Sequence, residues 1–211
     1  MEKEELILAF DTCLDKTYVV LRTKDDIISS ETIYSTESSY HSAYLISTIK
    51  DILKSSNKTP KDITVIAINI GPGSFTGIRA CTTVARVMAQ QLNCKAVGVS
   101  SLEILSRAKN DEYVVALDAR KNKTYLYDKK LYGAVELEEA DKIIKGRKVI
   151  TDDRLIERFR PLAEEIISYQ KAEFELGEIL SDIAIEKLKK EGGNWAKLLP
   201  LYIQPPPVTV K

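Results

Sequence analysis

Residues 71–79, Gly-Pro-Gly-Ser-Phe-Thr-Gly-Ile-Arg, set three glycines, a serine and a threonine between an apolar run and the opening of a helix. A strand that turns sharply into a helix aims backbone N–H groups and the positive end of the helix dipole at one point, where an anion can sit. Gly71, Gly73 and Gly77 permit backbone geometry or a close approach that a Cβ would block. Pro72 stiffens the turn, and Ser74 or Thr76 is suited to cap the helix. The common phosphate loops do not match. A P-loop needs a lysine that is missing here, and the glycine spacing is G-x-G-x-x-x-G rather than the dinucleotide G-x-G-x-x-G. The corner either touches an anion or packs helix on sheet, and both readings stand at this level.

The remaining chemistry-bearing residues are few. Asp11 and Asp118 each follow an apolar run (LILAF, YVVAL) and precede a polar turn, where a short carboxylate readily accepts N–H bonds from its own turn. His41 is the sole histidine, so a metal held by two histidines on one helix face is excluded. A Ser-His-Asp hydrolase lacks its nucleophile elbow, because Gly73-Ser74 is followed by Phe75 and Thr76. No catalytic residue and no metal-ligand set are assigned. Cys13, Cys81 and Cys94 show no paired or C-x-x-C spacing, as suits a reducing cytosol. Thirty-one basic and thirty-one acidic residues cancel, so no global field draws nucleic acid or an anionic membrane. The start, MEKEELILAF, lacks the apolar run of a signal peptide, and no segment is apolar enough to span a bilayer. A cytoplasmic protein with no membrane partner is expected.

The elements that position these residues repeat. Aligned on Asp11 and Asp118, about half the chain apart, Ala9 matches Ala116 and Lys16-Thr17-Tyr18 matches Lys123-Thr124-Tyr125. Both units read as strand, polar turn, strand. In the first half a third strand over 27–34 precedes a helix over 40–55, a strand over 63–70, the glycine corner, a helix over 76–92, a strand near 96–99 and a helical turn from 101. The second half gives weaker strands at 148–151 and 165–167, with helices near 152–160 and 173–191. Gly192-Gly193 reads as the C-terminal cap of that last helix. The order β-β-β-α-β-α-β-α predicts an α/β fold of mixed sheets with helices on their faces, the duplicated ribonuclease-H-like unit of actins, Hsp70 and sugar kinases. Two lobes are expected, 1–109 and a reduced 110–203, with a Pro-rich tail at 204–211 that cannot extend a sheet or helix.

As a string, GPGSFTGIR resembles the hallmark of the TsaB (YeaZ) family, partners of the TsaD subunit that makes threonylcarbamoyladenosine in tRNA. ILAFDT (7–12), His41-Ser42, VGVSSLE (97–103), LDAR (117–120) and PLYIQ (200–204) are similar family signals in the same order along the chain. The resemblance implies a non-catalytic subunit that binds and activates a TsaD-like partner modifying adenosine 37, works with a TsaE-like ATPase, and meets tRNA through the complex. It implies no tightly bound cofactor, with ATP and Mg²⁺ confined to the partner boundary or the partner subunits. In kinases and ATPases of the duplicated fold, aspartates placed like Asp11 and Asp118 face phosphate and metal. Here they read as vestigial, together with Arg120 of LDAR. A small-molecule kinase or ATPase using these aspartates is the alternative.

Helix surfaces point to a partner as well. Over 76–92, Ile78, Cys81, Ala85, Met88 and Leu92 form one apolar face, while Ala80, Val84, Val87 and Ala89 spread round the circumference. A helix apolar on more than one stripe is buried on more than one side. Over 40–55, Leu45, Ile49 and Ile52 suit the core, and Tyr44, Ile46 and Leu53 spread beyond it. By the family resemblance these helices form the TsaD boundary, or a homodimer when the chain is alone. His41, Tyr44, Leu45, Thr83, Arg86, Val87 and Gln90 are the expected contributors. The chain departs from the family pattern at Ala43, Cys81, Val87 and Gln204.

Overall fold

The computed structural model describes residues 5–34 and 41–204, with the side chains of residues 41–43 left out of the description. The chain divides into two compact units, residues 1–101 with 176–201 and residues 102–175 with 202–211.

In the first unit, strands β1 (Ile7–Asp11) and β2 (Thr17–Arg22) are buried at every position, as strands covered on both faces must be. Strand β3 (Ile27–Ile33) is mostly exposed and lies at an edge. Helix α1 (His41–Ser55), strand β4 (Val65–Asn69), helix α2 (Phe75–Leu92) and strand β5 (Lys95–Val99) follow. The sheet runs β3-β2-β1-β4-β5, with β1–β2 and β2–β3 antiparallel and β1–β4 and β4–β5 parallel. Alternation sorts its side chains by face. Leu8, Phe10, Val19, Leu21, Ile66 and Ile68 form a core with Leu45, Ile49 and Ile52 of α1 and Ile78, Cys81 and Ala85 of α2. Helix α3 (Ser101–Ser106) starts as the chain leaves this unit.

The second unit opens with β6 (Val114–Arg120), β7 (Lys123–Asp128) and β8 (Lys130–Glu136), then α4 (Leu137–Ile144), β9 (Lys148–Thr151), α5 (Ile156–Phe159) and β10 (Glu165–Ser168). Its sheet runs β10-β9-β6-β7-β8, with β6–β9 and β9–β10 parallel. Strand for strand this is the order of the first sheet, so the internal repeat read from the sequence is a repeat of topology. The core is Val114, Ala116, Leu126 and Val149 against Ala140, Ile144 and Phe159.

Strand β8 and helix α4 have no counterpart in the sequence reading, and two expected helices also differ from it. The helix expected over 152–160 is a single turn at 156–159. The last helix, α6 (Leu176–Glu191), belongs by its contacts to the first unit, where it packs on β1, β2 and β5 and Gly177 lets it close on Tyr18 and Val20. Gly192, at φ +69 with its N–H bonded to the Leu188 carbonyl, ends α6 as a C-terminal cap. Beyond Gln204 the Pro-rich tail lies outside the described residues. No helix among the described residues is long and apolar enough to cross a membrane.

Candidate functional site

Three segments meet at the end of β1: the turn after Asp11, the glycine corner between β4 and α2, and Ser101. Asp11 is 1% exposed. One carboxylate oxygen accepts from Cys13 N–H (2.6 Å) and the other from the Asn69 side-chain amide (2.9 Å). That fixes the amide of Asn69, whose own oxygen accepts from Gly71 N–H (2.8 Å) and the Ser101 hydroxyl (2.9 Å). Ser101 N–H donates to the Gly71 carbonyl (2.9 Å), which closes the circuit. Burial lifts the Asp11 pKa from 3.8 to about 6, against the opposing pull of the Asn69 amide and the Cys13 N–H.

Over this network the helix seats itself tightly. Ser74 is the N-cap of α2, its hydroxyl accepting from Gly77 N–H at 3.3 Å, and its own N–H donates to the Cys13 carbonyl at 2.8 Å. A Cβ at Gly73 would fall on the Cys13 carbonyl, and one at Gly77 on the Thr12 carbonyl. The Thr12 hydroxyl donates to the Gly77 carbonyl at 2.8 Å. Gly71, at φ +99, is the one corner glycine whose backbone lies in the left-handed region. The glycines at 73 and 77 thus serve an approach of helix to turn, and Thr76 and Ser74 face solvent. Two thiols complete the interior: Cys13 Sγ donates to the Asn69 carbonyl (3.2 Å) and Cys81 Sγ to the Phe10 carbonyl (3.5 Å). Burial raises the Cys13 thiol well above its ordinary range.

Asp118 lies near the end of β6 in the second unit, two residues before Arg120. A bulge at Ala119 slips the β6–β7 pairing, so Asp118 lies opposite Thr124 whereas Asp11 lies opposite Tyr18. The Asp118 carboxylate pairs with Arg154 (3.0 Å) and Arg120 (3.5 Å), both mostly exposed. Its N–H donates to Asp152 (2.6 Å), whose carboxyl is pushed up by burial and further by the charge of Asp118. Arg120, Lys121 and Asn122 all take positive φ, so the LDAR turn is an irregular, exposed one.

The helix residues divide. Tyr44 (59% exposed), Ile46 (49%) and Val87 (53%) stand open, and Thr83 and Gln90 are exposed. Leu45, which the sequence reading assigns both to the core and to the interface, is 1% exposed: it shares the α1 stripe of Ile49 and Ile52, which faces the sheet. Arg86 is engaged within its own unit, its guanidinium donating to the Leu198 (2.9 Å) and Ala196 (3.3 Å) carbonyls and lying over Trp195. His41 opens α1, and its side chain is outside the description. Cys81, where the chain departs from the expected family pattern, points into the core, so its bulk is absorbed within the unit. The sequence reading missed Asn69 and Ser101, the residues that tie the corner together. Their signal was an amide ending an otherwise apolar strand, VIAIN.

Two sheets of one strand order, with an aspartate in the last residues of the first strand of each, define a duplicated ribonuclease-H-like α/β protein. The family model "TsaD: tRNA N6-adenosine threonylcarbamoyltransferase" matches residues 27–189, and the chain belongs to that family, among its TsaB (YeaZ) members. It is 31% identical over 126 residues to a TsaB protein of Buchnera aphidicola subsp. Schizaphis graminum, covering 57% of this chain and 59% of the relative. It is 32% identical over 124 residues to TsaB of Bacillus subtilis, covering 56% and 52%. Both relatives are described as tRNA threonylcarbamoyladenosine biosynthesis proteins. The matched part thus spans between half and three-fifths of these relatives. A solved Pseudomonas aeruginosa protein described as similar to peptidase YeaZ superposes with a TM-score of 0.75 at 21% identity, covering 95% of this chain and all of that one. YeaZ of Pseudomonas aeruginosa gives 0.72 at 20%, covering 94% and 99%; at such identities the likeness shows the fold.

Proposed function

We infer that this chain is a non-catalytic subunit in tRNA N6-threonylcarbamoyladenosine formation, binding and activating a TsaD-like catalytic subunit that modifies adenosine 37. The observation carrying this reading is the set of Tyr44, Ile46 and Val87, large apolar side chains held open on α1 and α2 above a filled core. Exposed apolar groups on neighbouring helices suit a helix-to-helix boundary, where a few central anchors dominate the binding energy. The interior of the corner supports the non-catalytic part. Both Asp11 oxygens accept bonds from protein groups, and the glycines admit helix backbone where a phosphate would need room. A TsaE-like ATPase and tRNA join through the TsaD-like partner, the chain self-associates through the same helices when alone, and it holds no nucleotide tightly by itself.

Co-expression with a TsaD-like subunit followed by size-exclusion chromatography tests the reading. Co-elution is expected, and it should be lost in Ile46→Arg/Val87→Glu with the circular dichroism spectrum unchanged. Independent elution of the wild-type chain, or Mg–ATP hydrolysis by the chain alone, would overturn it in favour of a kinase or ATPase.

A further inference from the structure

Beneath the corner lies a group of side chains that the proposed role does not use. One carboxylate oxygen of Asp11, Cys13 Sγ and Cys81 Sγ lie within 4.8 Å of one another, and all three residues are buried. They come from three places: the end of β1, the turn after it, and the second turn of α2. We propose that Asp11, Cys13 and Cys81 form a binding site for a thiophilic divalent cation, Zn²⁺ by ligand type, which pins α2 to the end of β1. The proposal stands apart from the partner-binding role and would survive its failure.

Ligand chemistry selects the ion. Two sulfurs and one carboxylate oxygen suit Zn²⁺ in a four-coordinate site, whereas Mg²⁺ and Ca²⁺ require a shell of six or more oxygens. Electrostatics favours it too. The partners of the buried Asp11 carboxylate in the corner network are neutral, the Cys13 N–H and the Asn69 amide, and a carboxylate still offers lone pairs beyond those two bonds. Main-chain carbonyls stand beside both sulfurs, Asn69 at 3.2 Å from Cys13 Sγ and Phe10 at 3.5 Å from Cys81 Sγ, and either can complete a fourth position. The exchange balances. Two S–H bonds break, two metal–sulfur bonds form, and both protons leave to solvent as one dication enters. The ionised site therefore carries the same net charge before and after loading, and no unpaired charge is created in the interior.

The test uses the full chain, stripped with chelator, kept reduced with a phosphine, and titrated with Co²⁺ both folded and during refolding, since the ligands are sealed in the native state. Expected are one ion per chain, two protons released, a thiolate-to-cobalt charge-transfer band that Zn²⁺ abolishes, and a raised unfolding temperature. Cys13→Ser and Cys81→Ser should each weaken binding by about tenfold or more, and Cys94→Ser should leave it intact. If Cys13→Ser fails to fold, Cys81→Ala serves in its place. Absence of the band in both titrations overturns the proposal. So does binding as tight in Cys81→Ser as in the wild type, a band lost in Cys94→Ser, or a protein lighter by two hydrogens whose two thiols have closed as a disulfide.

Discussion

Strands β1 and β6 hold the same place in two sheets of one strand order, and an aspartate stands at or near the end of each. Asp11 is sealed from solvent, and its carboxyl holds a proton up to about pH 6. Asp118 pairs with two arginines at the surface. The strands do not explain the difference; the helix after the next strand does. Behind β4 comes the eighteen-residue α2, whose first turn closes on Thr12 and Cys13 because Gly73 and Gly77 leave room for it. Behind β9 comes α5, four residues long, and the turn after Asp118 spreads through a bulge and three positive-φ residues instead. Whether an equivalent aspartate is buried is set by its cover.

The largest effect expected from breaking that cover is at Gly77. Gly77→Ala drives a methyl group into the Thr12 carbonyl and should cost about 3 kcal/mol or more. Gly146→Ala in the second unit, at φ +68 with open space around it, should cost about 1 kcal/mol. Urea denaturation compares them, and equal losses would dissolve the distinction. Next comes removal of each carboxylate. Asp11→Ala strands the Cys13 N–H and the Asn69 amide in the interior, for about 2–4 kcal/mol. Asp118→Ala removes exposed ion pairs worth less than about 1 kcal/mol. A costlier Asp118 would mean that the second site is the structural one.

Acid sharpens the contrast further. The folded-state pKa of Asp11 lies above the unfolded value, so the folded chain holds this proton more firmly. Its stabilising contribution is complete below about 3.8 and fades as the pH rises through about 6. In metal-free protein, going from pH 7 to pH 5 should add about 1 kcal/mol from this group, a gain absent in Asp11→Asn. Chemical denaturation at the two pH values reads it, and a wild type matching the variant would refute the assignment. The smallest effect is expected at Arg86. Arg86→Ala should cost about 1 kcal/mol and speed amide exchange at Leu198, while Arg120→Ala, on an exposed turn, leaves stability unchanged. Unaltered exchange at Leu198 would show that the guanidinium does not hold that segment.

What the sequence made legible follows the same division. The succession of elements in the first half, the repeat and the glycine corner rest on local signals: apolar runs, an aspartate at the close of each, and glycines where a helix begins. Leu45 shows two signals in conflict. Its spacing to Ile49 and Ile52 assigns it to the core, where it lies, whereas the family resemblance offers it as an interface contributor. Arg86 could not be read as a structural residue, because its acceptors are carbonyls more than a hundred positions further along. Separation in sequence likewise hid the Asn69–Ser101 link, 32 positions long, and the place of α6. Short-range patterns set the elements, whereas long-range hydrogen bonds set which side chains remain available to a ligand or partner.

The return of α6 to the first sheet gives the chain a nested connectivity: it leaves the first unit after Ser101 and re-enters it at Leu176. A ribosome that has delivered only the N-terminal half has therefore made five strands without the helix that shields one of their faces. Val20 and Tyr18 must wait, uncovered, for Gly177 to emerge. Maturation of the earlier-made unit is thereby timed by synthesis of the later one, and an N-terminal fragment ending near residue 109 should be far less soluble than the whole chain.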